Sequence, residues 1–316
     1  MLALRPEGAV WVSDSLPGQL LRFCENWERS GCNWVLPEGA GSLCRACAHN
    51  RTVPDLSDPD NHARWQKVEV AKRRLIHGLM RLGLPLPLPG SGHAQPLMFD
   101  FLAPEDQAAP VMTGHATGLV TLSLAEADDA AREAVRMQMG EPYRTLLGHF
   151  RHEIGHYYWD ILIRDDAARL AGFRAVFGDE TAISYGDALQ RHYKCGAPAG
   201  WEGAFVSAYA TMHPWEDWAE TWAHYLHIVD TLDTAASFGL STDPGVDAGE
   251  LSAEIDFDPY RSRSFERILG AWTPLCVALN ALNRAMGQPD AYPFLMPGPV
   301  QGKLRFIHDL LRGAGA

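Results

Sequence analysis

The sequence predicts an α+β fold, mostly helical with a small β-sheet and preceded by a small cysteine-rich segment. The first 55 residues are rich in turn formers and hold four of the six cysteines. Short β-like runs occur in residues 96–102 and 111–123, and helical periodicity dominates afterwards. A helix, a few strands and then many helices are typical of this class. With 316 residues, 47% of them hydrophobic, the chain can bury a sizeable core.

Five segments carry apolar residues at the spacing of an amphipathic helix: 65–84, 141–163, 213–236, 264–287 and 300–315. Gly83 and Pro85 end the first of them. Pro142 and Pro214 lie near the starts of the second and third, where proline is favoured. Pro274 is expected to start or kink the fourth, because proline cannot donate the backbone hydrogen bond of a helix interior.

Charge and hydropathy narrow the possible environment and partners. The formal net charge is −12, so the chain repels phosphate backbones and nucleic acid is disfavoured as a partner. One basic run, Lys72-Arg73-Arg74, is expected to form the solvated face of its helix. The first 18 residues lack the basic and apolar regions of a signal peptide, and no apolar run approaches the ~18 residues that span a bilayer. We therefore expect a cytoplasmic protein without a membrane partner, in which thiols stay reduced.

His152 and His156 belong to an HExxH motif inside the helical segment 141–163. Residues four apart share one helix face, so both imidazoles can reach one zinc ion. Glu153 follows the first histidine and is placed to take a proton from zinc-activated water. The alternative is a surface helix with two solvated histidines. The helical context favours the metal site, which is typical of the zincin class of metallopeptidases.

A catalytic zinc needs a third protein ligand and one open position. A histidine six residues after His156 would mark the metzincins, but that position is Leu162. The string EDWAE offers Glu216 and Glu220, one turn apart on a helix that its tryptophans predict to be largely buried. We expect Glu216 to be the ligand and Glu220 to accept a hydrogen bond from a ligand imidazole. Exchanged roles of the two glutamates and a solvated acidic face stay open as alternatives.

Two residues shortly before Glu216 are candidates to donate a hydrogen bond to the oxyanion of a transition state. Tyr209 lies seven residues and His213 three residues before it. Either side chain could reach the site from the loop that leads into the helix. The alternative for both is that they only satisfy backbone groups at the helix entrance.

Four cysteines form a cluster with the spacing C-x7-C-x11-C-x2-C: Cys24, Cys32, Cys44 and Cys47. In a reducing compartment such a cluster is more typical of zinc than of disulfides. The sequence predicts one structural zinc held by four thiolates, with four unligated thiols as the alternative. We accordingly divide the chain into a zinc-ribbon-like region, residues 1–55, and a zincin-like metallopeptidase domain, residues 56–316.

Long strings of the sequence resemble a bacterial family of zinc-binding metallopeptidases with an N-terminal zinc-ribbon region: CRACAHNRTVPDLSDPDNHARWQKVEVAKRRL, EPYRTLLGHFRHEIGHYYWD, SAYATMHPWEDWAETWAHYLHIVDTL and NRAMGQPDAYPF. The order HExGH, Tyr209, Glu216 and Glu220 is also similar to that of gluzincins of the anthrax lethal factor type. This similarity implies catalytic assistance by Tyr209 and metal ligation by Glu216. Family members often carry further C-x2-C pairs before the position of Cys24, and their absence here leaves open a shortened variant or a misplaced start.

The sequence therefore predicts zinc-dependent hydrolysis of peptide bonds in a protein or peptide substrate, with one catalytic and one structural Zn2+. Two other functions stay open. The first is a non-catalytic interaction module stabilised by zinc, which would not need Glu153 as a base. The second is a nucleic-acid-associated protease that docks through its ribbon, which the net charge of −12 opposes.

Overall fold

The computed structural model describes residues 3–103, 113–139, 144–245 and 251–313. The chain divides into two compact units. The first unit comprises Met1–His77 and Pro85–Arg132, and the second comprises Gly78–Leu84 and Glu133–Ala316. The boundary after residue 55 that the sequence suggests stays a prediction.

The N-terminal part of the first unit is a four-stranded antiparallel sheet with its strands in chain order. The strands are β1 (Arg5–Glu7), β2 (Val10–Val12), β3 (Leu21–Phe23) and β4 (Val35–Pro37). The one-turn helix α1 (Trp27–Ser30) lies between β3 and β4 and ends at Gly31, whose φ of 61° suits glycine. Strands of three residues bury little apolar surface, so this part of the chain needs another source of stability.

A second sheet in the first unit has the strand order β5-β6-β8-β7. Its strands are β5 (Asn50–Thr52), β6 (Met98–Leu102), β7 (Gly114–Ala116) and β8 (Leu119–Ser123). Parallel pairing joins β5 to β6 and β6 to β8, whereas β7 is antiparallel to β8. Helix α2 (Pro59–Arg81) follows β5, and helix α3 (Asp129–Met139) follows β8. Alternate residues of the two central strands are fully buried: Phe99, Phe101, Val120 and Leu122.

Helix α2 contradicts the expectation of a solvated basic run. Lys72 and Arg73 are buried, with 0% and 6% relative exposure. Lys72 Nζ lies 2.7 Å from Glu69 Oε1, and Arg73 donates to the carbonyl oxygens of Ser30 and Gly31. Charged side chains can be buried when they are paired and hydrogen-bonded in this way. The expectation was wrong because helical position alone does not reveal such partners.

The described part of the second unit is mainly helical. Its helices are α4 (Leu146–Leu162), α5 (Ala167–Phe177), α6 (Tyr185–Cys195), α7 (Pro214–Ser237), α8 (Phe265–Ala285) and α9 (Gly298–Arg312). Strands β9 (Ser241–Thr242) and β10 (Ala253–Glu254) form an antiparallel pair. The α+β class predicted from the sequence is confirmed. Within the described ranges, no helix has both the length and the apolar character that crossing a bilayer requires.

The structure shows which residues begin the helices, and these can be compared with the residues predicted to do so. The Thr145 side chain accepts from the backbone N–H of Gly148 and caps α4, whereas Pro142, the predicted start signal, lies outside the described residues. Helix α7 begins at Pro214, as predicted. Helix α8 begins at Phe265 and contains Pro274 in its interior, so this proline does not start the helix.

Helices α4 and α7 pack very closely at Gly155, the fourth residue of HExxH. A Cβ atom at this position would lie 3.0 Å from the Cα of Ala219 and 3.3 Å from the Cβ of Trp222. The indole Nε1 of Trp218 donates to the carbonyl oxygen of Gly155 at 2.8 Å. This contact fixes the first turns of α7 against the motif, and the two elements together form the candidate site.

Candidate metal centre and active site

Helix α4 presents the two histidines of HExxH on one face. Their Nε2 atoms lie 3.2 Å apart, and their ring centroids are separated by 4.9 Å. His156 is buried and the side chain of His152 is 13% exposed. The i, i+4 spacing therefore brings two imidazole nitrogens to one point, as the motif predicts.

Glu216, in the first turn of α7, completes a cluster of three ligand atoms. Its Oε2 lies 3.0 Å from His152 Nε2, and its Oε1 lies 3.4 Å from His156 Nε2. Zinc bonds of about 2.0–2.1 Å in a tetrahedron would separate two ligand atoms by about 3.3 Å. Two imidazoles and one carboxylate at these separations fit a zinc ion with one open position.

Glu220 lies one turn further along α7 and contacts the far side of His152. Its Oε1 accepts from His152 Nδ1 at 2.7 Å, and its Oε2 accepts from Ser207 Oγ at 2.6 Å. Burial opposes the charge on Glu220, but the hydrogen bond and charge of His152, together with smaller contributions from His224 and Ser207, outweigh burial and lower the pKa of Glu220 to about 2. The carboxylate therefore stays ionised and keeps the proton of His152 on Nδ1, which leaves the Nε2 lone pair for a metal.

The same carboxylates control the protonation of His152. Burial lowers its pKa, but the hydrogen bonds and charges of Glu216 and Glu220 outweigh burial and raise the pKa well above its ordinary value. The site thus attracts a cation, and a proton competes with a metal for it. The geometry supports the predicted roles of the two glutamates, which stay predictions until metal binding is measured.

Glu153 follows His152 on α4 and is half-buried. Its charge contributes, after burial and the Glu216 charge, to raising the pKa of Tyr185. The carboxylate of Glu153 and the hydroxyl of Tyr185 therefore belong to the same electrostatic environment. The role of Glu153 as a base stays a prediction.

Two tyrosines border the cluster, and the sequence pointed to only one of them. Tyr209, in the short turn Tyr209–Thr211, has its ring 6.1 Å from that of His152. Tyr185, at the start of α6, donates from its hydroxyl to Glu216 Oε1 at 2.9 Å. Burial, and after it the Glu216 charge, raise the pKa of both tyrosines, so both hydroxyls stay protonated and can donate. Tyr185 lies 31 residues before Glu216 with no motif around it, so no sequence signal could have found it.

His213 occupies the cap of α7. Its Nδ1 accepts from the backbone N–H of Trp215, and its Nε2 donates to the carbonyl oxygen of Glu180, both at 3.1 Å. Both ring nitrogens are thus engaged with backbone groups, and the structure does not bring either of them into the three-atom cluster. The cap orients the first turn of α7, which carries Glu216.

The four clustered cysteines converge in the first unit, and all of them are buried. The Sγ of Cys32 lies 3.6 Å from that of Cys44 and 3.8 Å from that of Cys47. A tetrahedral zinc with Zn–S bonds of about 2.3 Å would separate two sulfurs by about 3.8 Å. Disulfide sulfurs would be about 2.0 Å apart, so these separations fit a four-thiolate metal site instead.

The thiols of this cluster influence one another strongly. Hydrogen bonds from the other thiols, that of Cys32 first, lower the pKa of Cys24. Hydrogen bonds with the other three thiols, of which that with Cys24 contributes most, raise the pKa of Cys47. Burial and the Glu69 charge raise it further. The four neighbouring thiols can therefore not all be ionised in the absence of a cation. A bound cation would make ionisation of all four favourable.

Comparison with known proteins agrees with this pair of sites. Residues 61–310 match the family described as "putative zinc-binding metallo-peptidase", and residues 1–58 match a zinc-ribbon domain. Uncharacterized proteins of Mycobacterium bovis and of two Mycobacterium tuberculosis strains are 45% identical over 292 residues, which is 92% of this chain and 82% of each relative. No solved structure matches the chain. The resemblance noted from the sequence is confirmed, and the chain belongs to this zinc-binding metallo-peptidase family, with a zinc-ribbon domain at its N-terminus.

Proposed function

We propose that the protein hydrolyses peptide bonds with a zinc ion held by His152, His156 and Glu216. The observation that carries this proposal is the convergence of three potential ligands: the Nε2 atoms of His152 and His156 lie 3.2 Å apart, and the two oxygens of Glu216 lie 3.0 and 3.4 Å from them. A glutamate, Glu153, follows the first histidine. When bound, zinc supplies a Lewis acid that polarises a carbonyl group and acidifies water. The substrate is a protein or peptide.

Glu153 is the proposed general base. Its carboxylate takes the proton of the attacking water and can return it to the amine that leaves. Glu220 has a different task, because it contacts His152 through Nδ1 at 2.7 Å and fixes the orientation and tautomer of that ring. A non-catalytic interaction module would need neither a base nor donors for an oxyanion, so these residues favour the enzyme.

Tyr209 is the proposed donor to the oxyanion that develops on the carbonyl, because the single hydroxyl proton of Tyr185 is donated to Glu216. Both hydroxyls are protonated, since burial and the Glu216 charge raise their pKa. A fixed donor in a water-poor site stabilises developing negative charge more strongly than water does. Tyr185 holds Glu216 Oε1 at 2.9 Å and so positions the carboxylate.

A structural zinc at Cys24, Cys32, Cys44 and Cys47 is the second part of the proposal. Sulfur separations of 3.6 and 3.8 Å support it. One zinc in each site gives two per chain. The proposed place of action is the cytoplasm, where thiols stay reduced and can hold the metal.

The substitution Glu153→Gln tests the catalytic claim. We expect hydrolysis of unstructured peptides to fall by about 100-fold or more, because only the base is lost. Zinc content should stay equal to that of the wild type, measured by mass spectrometry of the metal. Glu202→Gln is the matched control, since Glu202 is an exposed glutamate of the same unit and should leave both readouts unchanged. Cleavage by Glu153→Gln at the wild-type rate would refute the proposal.

A further inference from the structure

A cavity of about 410 Å³ lies between the C-terminal half of α6 and the turn that carries Tyr209. Its lining includes side chains from both elements: Ala188, Arg191, His192, Cys195, Thr211 and Met212. Ala188 and Met212 are buried, whereas Arg191 and Cys195 are exposed. The cavity therefore has an apolar wall and a polar mouth, and a volume of this size can receive an amino-acid side chain.

The cavity adjoins the candidate catalytic residues. The ring of His192, which lines it, lies 5.7 Å from the ring of Tyr209. The ring of Tyr209 lies 6.1 Å from that of His152. Thr211 and Met212 belong to the same stretch of chain as Tyr209 and lead directly into α7. A group in the cavity would thus lie on the Tyr209 side of the bond to be cleaved.

The charge of the cavity is positive. Among its described lining residues, Arg191 is the only one with a charged side chain at neutral pH, because burial lowers the pKa of His192. None of the described residues that line the cavity carries a carboxylate. Within the described part of the chain, no hydrogen bond or ion pair engages the guanidinium of Arg191. Its donors are therefore available to a ligand, in a chain whose net charge is −12.

We propose that this cavity is a substrate subsite that binds a carboxylate group of the peptide through Arg191. The inference rests on the proposed peptidase function and names a substrate class for it. A guanidinium presents paired N–H donors whose geometry matches both oxygens of a carboxylate. The apolar wall formed by Ala188 and Met212 contacts the aliphatic stem. The carboxylate can belong to an acidic side chain or to the C-terminus of the peptide.

Protection of Cys195 against N-ethylmaleimide tests this binding without any hydrolysis. Cys195 is exposed at the cavity mouth, so a bound peptide should slow its modification. Cys276 is half-buried, and burial raises its pKa to about 11, which makes it slow to react. The experiment uses the zinc-loaded full chain with Glu153→Gln, which prevents turnover, and peptide mapping to measure modification at Cys195 alone.

Three peptides of equal length distinguish the sources of the carboxylate. One carries an internal glutamate and an amidated C-terminus, the second carries glutamine instead, and the third carries glutamine and a free C-terminus. We expect at least one carboxylate peptide to protect Cys195 at concentrations about tenfold below those that the uncharged peptide needs. The peptide that protects identifies the source. In Arg191→Gln this difference should disappear, whereas Lys194→Gln should keep it, because Lys194 is a cation of the same helix that does not line the cavity.

Two results would overturn the inference. The first is equal protection, or none, by the charged and uncharged peptides. The second is an effect of Lys194→Gln as large as that of Arg191→Gln. Neither result depends on catalysis, so failure of this subsite is distinguishable from failure of the proposed function, which the hydrolysis assay on Glu153 tests separately.

Discussion

Replacing each of the two α7 glutamates by alanine tests which carboxylate holds the metal. The oxygens of Glu216 lie 3.0 and 3.4 Å from the Nε2 atoms of the two histidines, whereas Glu220 contacts His152 only through Nδ1, at 2.7 Å. Glu216→Ala removes a ligand atom, and we expect the site to be empty at micromolar free zinc. Glu220→Ala removes only the partner of a ligand, which typically weakens metal binding ~10–100-fold, or about 1.4–2.7 kcal/mol.

Competition with a chromophoric chelator measures both affinities on the full-length protein. The zinc ion of the four-thiolate site is expected to be bound more tightly than the other. The more weakly bound zinc ion therefore reports the affinity of the site on α4 and α7. Ser207→Ala is a graded control. It removes the 2.6 Å hydrogen bond to Glu220 Oε2 but leaves Oε1 on His152, so the loss should be about fivefold, less than that of Glu220→Ala.

The opposite order of affinities would refute this reasoning. If Glu220→Ala lost the zinc and Glu216→Ala kept it, the roles would be exchanged and the assignment on α7 would be wrong by one turn. If neither substitution changed the affinity for the more weakly bound zinc ion, that ion would be bound somewhere else.

Three further predictions concern stability. Gly155→Ala should destabilise the second unit by about 1–3 kcal/mol, because the new Cβ would lie 3.0 Å from a backbone atom of Ala219; a higher melting temperature would contradict this. Burial lowers the pKa of His224 to about 4, so the unfolded chain binds a proton at this residue more readily than the folded chain does. Acidification from pH 6.5 towards 4 should therefore lower the free energy of unfolding by up to about 3 kcal/mol. His224→Gln should flatten this slope in denaturant titrations, and an unchanged slope would exclude His224 as its source. Cys44→Ser should release one zinc and expose residues 20–55 to proteolysis, and unchanged metal content would contradict the four-thiolate site.

The metal-ligand candidates could be predicted from the sequence because their spacing is local. His152 and His156 share a helix face by periodicity alone, and Glu216 and Glu220 are related in the same way on α7. The thiols of the first unit are close in sequence and lie in a segment of short strands that bury little apolar surface. Each of the two pairs on α4 and α7 lies within one turn of helix, and the four cysteines lie within 24 residues of chain.

Other features depend on tertiary packing and could not be predicted. Tyr185 and Ser207 reach the glutamates of α7 from different segments, and neither belongs to a recognisable pattern. The burial of Lys72 depends on Glu69 and on strands that follow later in the chain, so a local basic run was misinterpreted. His213 is adjacent to the site in sequence, but its ring nitrogens bind backbone groups. Proximity in sequence does not establish the direction of a side chain.

Stepwise removal of zinc, with metal content and peptide hydrolysis measured on the same samples, tests the central claim most directly. The account predicts two zinc ions per chain and hydrolysis that falls in proportion to the more weakly bound one. Restoring that zinc should restore hydrolysis in the wild type, whereas Glu153→Gln should regain the metal without activity. Hydrolysis that persists after the zinc of His152 and His156 has been removed would contradict the account.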